Sequence, residues 1–252
     1  MKNKTLPLIN SFLNPYIIWN EKEATHEEKM NFYNQYGYVK DKIPTTIKKK
    51  IDTSLKSAHH IAKVGVDNAL GNFIDAFLDR NVNYKKWREN MPSITPKDLV
   101  NFQKYYPDFS IKNVDFEINK IGCTLIEEQC LFHGGFWDDA RGDEFITSKP
   151  FSSTFCPQVA LREAESNGKA YDANQIDLFV LRVVNPQTNV FVFRQKGTTH
   201  GNEKEVLFSS GAKLTLRNRI LVRNDYKAYK VCKELNVKEK TIPIYILEVD
   251  IS

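Results

Sequence analysis

Three short segments hold the side chains most able to do chemistry. In chain order they are Leu131-Phe132-His133-Gly134-Gly135, then Lys149-Pro150-Phe151-Ser152-Ser153-Thr154-Phe155, then Asn202-Glu203-Lys204-Glu205-Val206-Leu207-Phe208. Glu203 and Glu205 stand two apart. If Glu205 opens a strand, that spacing sets both carboxylates on one face. Two acids on one side can divide labour: one stabilises a developing cation while the other accepts a proton or orients a nucleophile. The apolar run Val206 to Phe208 would root such a strand in a core. The stretch before it, Lys196 to Asn202, reads as a loop placed to meet a partner. On its own, Glu-x-Glu is more often two solvated acids at a strand edge.

The hydroxyls of Ser152, Ser153 and Thr154 precede a helix opened by Pro157. They can bond to backbone and brace two segments, although such a cluster is also an ordinary helix cap. His133 closes a strand ahead of two glycines. Those glycines would let a bulky ligand approach the backbone. A histidine there could donate to a phosphate or ribose oxygen, or be a satisfied strand-end residue.

The elements that must position these groups change in period near residue 110. Before it the patterns are helical. Thr25 with Glu28 forms a capping box for a helix through Tyr36, stopped by Gly37. Ile47, Ile51, Leu55, Ala58 and Ala62 predict one face of a helix starting after Pro44. Further helices are predicted over Val66 to Arg80 and from Thr95, as N-cap with Pro96 at N1, to about Tyr106. After residue 110 the expected strands are Gln129–Phe136, Glu144–Phe151, Ile176–Val184, Val190–Arg194, Glu205–Phe208, Lys213–Val222 and Ile242–Val249, with one helix from Pro157. Strands without alternating helices argue against a parallel α/β sheet. The expectation is α+β: a helical N-terminal lobe, 1–110, beside a two-sheet, mostly antiparallel β-rich core, 111–252.

Composition sets the outer bounds. With 252 residues, 41% of them hydrophobic, the chain can bury a sizeable core. A net charge of +5 favours acidic partners, but the run Lys48-Lys49-Lys50 reads as a solvated helix face, so nucleic acid is not an expected partner. Cys123, Cys130, Cys156 and Cys232 form no C-x-x-C pair, which predicts free thiols and no metal site. No Sec-type signal and no membrane span are read, and a monomer is expected.

Taken together and in order, the three segments resemble the Arg–Ser-Thr-Ser–Glu-x-Glu pattern of the mono-ADP-ribosyltransferase family, in its cholera-toxin-like and arginine-specific branch. The resemblance runs from about Leu131 to Val222, roughly a third of the chain, with His133 lying 20 residues before Ser153 and Ser153 lying 52 before Glu205. It implies an ADP-ribosyltransferase core that cleaves NAD, as co-substrate and without a metal, and passes ADP-ribose to a protein side chain. By position Glu205 resembles the catalytic glutamate that bonds the ribose. Glu203 resembles the acid that orients or deprotonates the acceptor, which implies arginine. Ser153 resembles the serine that holds the catalytic glutamate and lines the nicotinamide pocket, with Thr154 bracing the fold. His133 and Gly134 take the place of the first motif, and residues 195–202 that of the target-recognition loop. The helical lobe resembles the one that caps NAD.

Two positions depart from the pattern. His133 stands where the branch has arginine, which grips a phosphate bidentately; Arg141 is a candidate substitute. Phe155 replaces the final serine and would set an aromatic wall near nicotinamide. By the resemblance the chain is a toxin or effector exported by a specialised system and acting in a target cell's cytosol. The alternatives are another acceptor, plain NAD hydrolysis, or a degenerate member that binds a partner without chemistry.

Overall fold

A computed structural model describes residues 4–194, 201–232 and 236–252. They fall into two compact units, Phe12–Thr53 and Met1–Ser11 with Ser54–Ser252. The chain opens with β1 (Lys4–Leu6). The smaller unit then comprises β2 (Tyr16–Glu23), α1 (His26–Tyr36) and β3 (Lys42–Ile51). α1 has the expected capping box: the Thr25 side chain accepts from the Glu28 N–H, the Glu28 carboxylate accepts from the Thr25 N–H, and Gly37 closes the helix at φ 77°. The helix predicted after Pro44 is corrected. Residues 42–51 pair antiparallel with β2, from Tyr16↔Ile51 to Glu23↔Lys42. The β-branched run Thr45-Thr46-Ile47 suits a strand, and the four-residue spacing of Ile47 and Ile51 arose by coincidence.

The larger unit continues with α2 (Ser54–Val64), α3 (Asn68–Arg80), α4 (Val82–Glu89), α5 (Lys97–Tyr105) and α6 (Ile111–Ile121). Then follow β4 (Cys123–Leu125), β5 (Cys130–Gly135), β6 (Glu144–Ile146), β7 (Phe151–Thr154), α7 (Pro157–Glu165) and α8 (Lys169–Ala173). The last strands are β8 (Ile176–Val183), β9 (Val190–Val192), β10 (Glu205–Phe208), β11 (Lys213–Val231) and β12 (Val237–Ile251). The helical period therefore runs past residue 110, because Ser110 caps α6 and Gly122 ends it in the left-handed conformation. The N-cap of α5 is Pro96 rather than Thr95. Pro150, which has no N–H to give a ladder, separates β6 from β7 where one strand was expected.

The strand order of the main sheet is β6-β11-β12-β8-β5-β7-β10-β9. Every neighbouring pair is antiparallel except β12 with β8. The mostly antiparallel expectation is met. The two-sheet expectation is met only in part, because the strands form one continuous sheet of eight. Its two halves are joined narrowly: β5 and β7 share the single register pair Phe132↔Thr154. Elsewhere along that seam the two strands lack a ladder, and the cleft described below has residues of both in its wall.

β8 is buried along almost its whole length and anchors the first half, while β10 and β9 are wholly buried in the second. Each Leu, Ile or Phe so buried contributes about 1.5–3 kcal/mol. α7 starts with Pro157 at N1, as expected, and lies so close on β5 that a Cβ at Gly134 would come 1.6 Å from the carbonyl oxygen of Ala160. α6 is tied to the β10–β11 turn, where Asp115 accepts from the Ser210 N–H at 2.7 Å and from its hydroxyl, and to the segment before β9 through Asn119 and Asn189 at 2.9 Å. Because α5 packs on α6, and Phe102 of α5 meets Phe109 of the segment joining them with ring centroids 4.8 Å apart, these ties also set where α5 lies.

Candidate active site

The cleft at the β5–β7 seam has a volume of about 600 Å3, within the range of small-molecule sites. Glu203, Glu205, Ser152, Ser153, Thr154, His133 and Gly134 all line it, so the structure brings together three segments far apart in sequence.

Glu205 is the first residue of β10 and is almost fully buried. Its Oε1 accepts from the Ser152 hydroxyl at 2.7 Å, and its Oε2 accepts from the Gln103 side-chain amide of α5, also at 2.7 Å. Burial raises its carboxyl to about 7; the bonds from Ser152 and Gln103 pull the other way, and the charges of Glu203 and Glu163 push it up further. At neutral pH it is thus poised between acid and anion.

The hydroxyl that holds Glu205 belongs to Ser152, not to Ser153. The ladder explains why. Glu205 pairs with Thr154 and Leu207 with Ser152, so Ser152, Thr154 and Glu205 share one face while Ser153 takes the other. Ser153 donates instead to the Val206 carbonyl at 2.7 Å. Thr154 acts as a brace: its hydroxyl donates to the Glu203 carbonyl at 2.6 Å and accepts from the Cys156 N–H at 3.1 Å.

Glu203 does not sit on a strand. It ends a 3-10 turn, Gly201–Glu203, and Lys204 after it is left-handed at φ 52°. The two acids reach one cleft through this turn rather than by strand alternation. Lys204 buries its ammonium and pairs with Asp75 of α3 at 2.9 Å, which pins the turn to the helices. Residues 195–200 of the expected recognition loop, and the side chains of Asn202 and Arg141, lie outside the described residues.

His133 differs from its expected role. Its Nδ1 lies 2.7 Å from the Ser152 carbonyl oxygen. A carbonyl can only accept, so Nδ1 carries the proton. Burial pushes the ring down to about 4, and it packs against Phe151 and Phe179 with centroids 4.3 and 5.2 Å away. The neutral ring then offers only the Nε2 lone pair. It can accept from a hydroxyl but has no proton for a phosphate. Gly134 also serves packing, since its open side is filled by α7 rather than left for a ligand. Phe155 is buried against Tyr84 and Trp87 of α4, with centroids 5.9 and 5.4 Å away, and is not in the cleft wall. The aromatic side chains lining the cleft are Phe102, Tyr106, Phe132, Phe136, Phe145, Phe151 and Phe179.

Two cations stand at the same cleft, and the motifs did not point to them. Lys149 Nζ donates to the Tyr106 hydroxyl at 2.7 Å, and Lys169 Nζ lies 6.0 Å from the centre of that ring and donates to the Glu163 carbonyl at 3.4 Å. Neither makes an ion pair among the described residues. Both contribute to holding His133 neutral. The cleft thus has acids at one place and ammonium groups at another. Among the described residues no group of three His, Cys, Asp or Glu could hold a metal, all four cysteines are free, and no helix is long and apolar enough to cross a membrane.

No protein-family model matches the chain, and no curated protein matches it. Among solved structures it is similar to Vis, an ADP-ribosyltransferase toxin of Vibrio splendidus solved with agmatine, at 15% identity over 74% of this chain and 86% of that one, TM-score 0.37. It is similar to the enzymatic component C2-I of the Clostridium botulinum C2-toxin at 7% identity over 66% of this chain, TM-score 0.37, and spans only 45% of C2-I. It is also similar to exoenzyme S of Pseudomonas aeruginosa, solved with human 14-3-3 protein beta and carba-NAD, at 14% identity over 73% of this chain and 88% of that one, TM-score 0.35.

Proposed function

We propose that this chain is a mono-ADP-ribosyltransferase that breaks the nicotinamide–ribose bond of NAD and transfers ADP-ribose to a protein side chain. The observation that carries the reading is Glu205, a buried carboxylate held by hydroxyl and amide donors at the wall of a cleft of ligand size. As nicotinamide leaves, the bonding pair of the C1′–N bond stays on its nitrogen and positive charge develops at C1′ and the ring oxygen. A fixed anion in a buried setting stabilises that charge far more than it would in water. Glu205 fills that role through the ribose 2′-hydroxyl, and the Nε2 of His133 accepts a second sugar hydroxyl. Ser153 and Thr154 hold the strand and turn that carry the two acids. Lys149 and Lys169 meet the two phosphate charges that His133 cannot, and the ring faces of the cleft stack the bases.

Arginine is the acceptor this site suits best. Glu203 lines the cleft near Glu205, and an anion there attracts a guanidinium and takes the proton that its nitrogen loses on attacking C1′. In this reading α2 to α5, the last of which supplies Gln103, form the NAD-capping lobe, and residues 111–252 form the catalytic core. No metal takes part, and the chain acts as a toxin or effector on a target protein of another cell.

Incubating the chain with labelled NAD and a cell extract tests the proposal. Label should appear on a protein in a linkage cleaved by neutral hydroxylamine, as an arginine adduct is, and should vanish with Glu205→Ala. Transfer in a hydroxylamine-stable linkage would overturn the arginine assignment alone, and undiminished transfer by Glu205→Ala would overturn the role of Glu205.

A further inference from the structure

Glu205 has two oxygens, and β10 and its neighbouring strand secure only one of them. Oε1 is held by Ser152 of β7, inside the sheet. Oε2 is held by Gln103, a residue 102 positions away in sequence and on a helix rather than a strand. Gln103 is the second residue after Asn101 on the last turn of α5 and follows Phe102, whose buried ring sits edge-on to Phe109 and Tyr106 at 4.8 and 5.9 Å. That packing fixes the helix turn from which the amide reaches Glu205. The amide is thereby committed: Nε2 donates to the carboxylate, and Oε1 is left as an acceptor.

We infer that Gln103 is a positioning residue for Glu205, holding its carboxylate in the geometry and charge state that the reaction needs and making the acid's readiness depend on where α5 lies. The catalytic consequence rests on reading Glu205 as the acid that faces NAD. A primary amide suits this place. It donates to the anion as an ammonium would, yet adds no charge to a cleft where a cationic guanidinium and an oxocarbenium-like sugar must both be received. The groups that bear on Glu205 come from several elements: Ser152 of β7, Gln103 of α5, Glu203 of the preceding turn and Glu163 of α7, while the neutral His133 of β5 lines the same cleft. Lys149 and Lys169 stand further along the wall. Among these, Ser152 and Gln103 are the two donors that favour its anion. Removing Gln103 leaves Oε2 buried without a donor, which favours the protonated form.

The test is a direct titration of Glu205 by carbon NMR in the whole chain with labelled glutamate side chains, the signal being assigned by its loss in Glu205→Gln. Gln103→Leu should move the midpoint up by roughly one pH unit, the shift expected when one hydrogen bond to an anion is lost. Gln103→Met, closer in shape, should do the same and serves if Leu is not accommodated. The pH profile of NAD cleavage should move with the titration, so that activity lost near neutrality returns in alkali. An unmoved midpoint in both variants overturns the inference, as does a loss of activity equal at every pH. If the unaltered chain cleaves no NAD, the proposed function falls while the titration still decides the role of Gln103.

Discussion

Ser152 and Glu205 meet diagonally across the β7–β10 ladder, hydroxyl to carboxylate at 2.7 Å, while Ser153 between them in register turns to the carbonyl of Val206. Two adjacent serines thus do different work. Ser152→Ala should lower NAD cleavage at neutral pH about tenfold, the worth of one hydrogen bond to an anion. Ser153→Ala should instead lower thermal stability by about 1 kcal/mol and leave the pH profile unmoved. Steady-state kinetics and melting curves on both variants separate the two roles, and the reverse pattern would contradict the assignment.

The raised carboxyl of Glu205 has a stability consequence. Folded, it titrates near 7; unfolded, near its ordinary 4.5. The native state binds the extra proton between these values, so the stability Glu205 allows is fully present below about 4.5 and is lost as pH rises through about 7. Glu205→Gln removes this loss, and the Gln103 amide can turn over to accept from the new side-chain N–H. The variant should gain little in acid and on the order of 2–3 kcal/mol above neutrality. Denaturant unfolding across that range reads the difference; a gain that does not grow with pH would count against it.

Restoring the arginine of the resembled motif should fail. His133 is neutral, packed between Phe151 and Phe179, and bonded to the Ser152 carbonyl. His133→Arg would bury a permanent charge there, a cost of at least a few kcal/mol. It would also disturb the residue that holds Glu205. Melting temperature and NAD affinity should both drop, and improved NAD binding in a folded variant would contradict the packing argument.

Much of this was legible in the sequence, and the gaps have physical causes. The capping box at Thr25, the Pro157 helix start and the strand from Glu205 to Phe208 were readable because each depends on neighbours in sequence. The choice between Ser152 and Ser153 needed the register of β7 on β10, which only strand pairing defines. Phe155 went to α4 rather than the cleft for the same reason of alternation. Gln103 carried no signal at all, because its partner lies on a strand brought near by the docking of α5 and α6. Ile47 and Ile51 show the opposite error, a helical spacing that belonged to a strand.

Lys149 and Lys169 should govern the hold on NAD rather than the bond cleavage. Replacing both by Ala should raise KM for NAD about tenfold or more and reduce its dependence on salt, with kcat little changed. The affinity for nicotinamide alone, which has no phosphate, should stay as it was. Equal losses for both ligands would show that the lysines support the cleft and do not meet the phosphates.

The central claim is that Glu205, as an anion, drives nicotinamide from NAD. Its most direct measurement is nicotinamide release by the chain alone, followed from about pH 5.5 to about pH 8.5 beside Glu205→Gln. Release should climb through about 7, where Glu205 loses its proton, then level, and Glu205→Gln should release none above background at any pH. A Glu205→Gln variant that releases nicotinamide as fast as the unaltered chain would contradict the account.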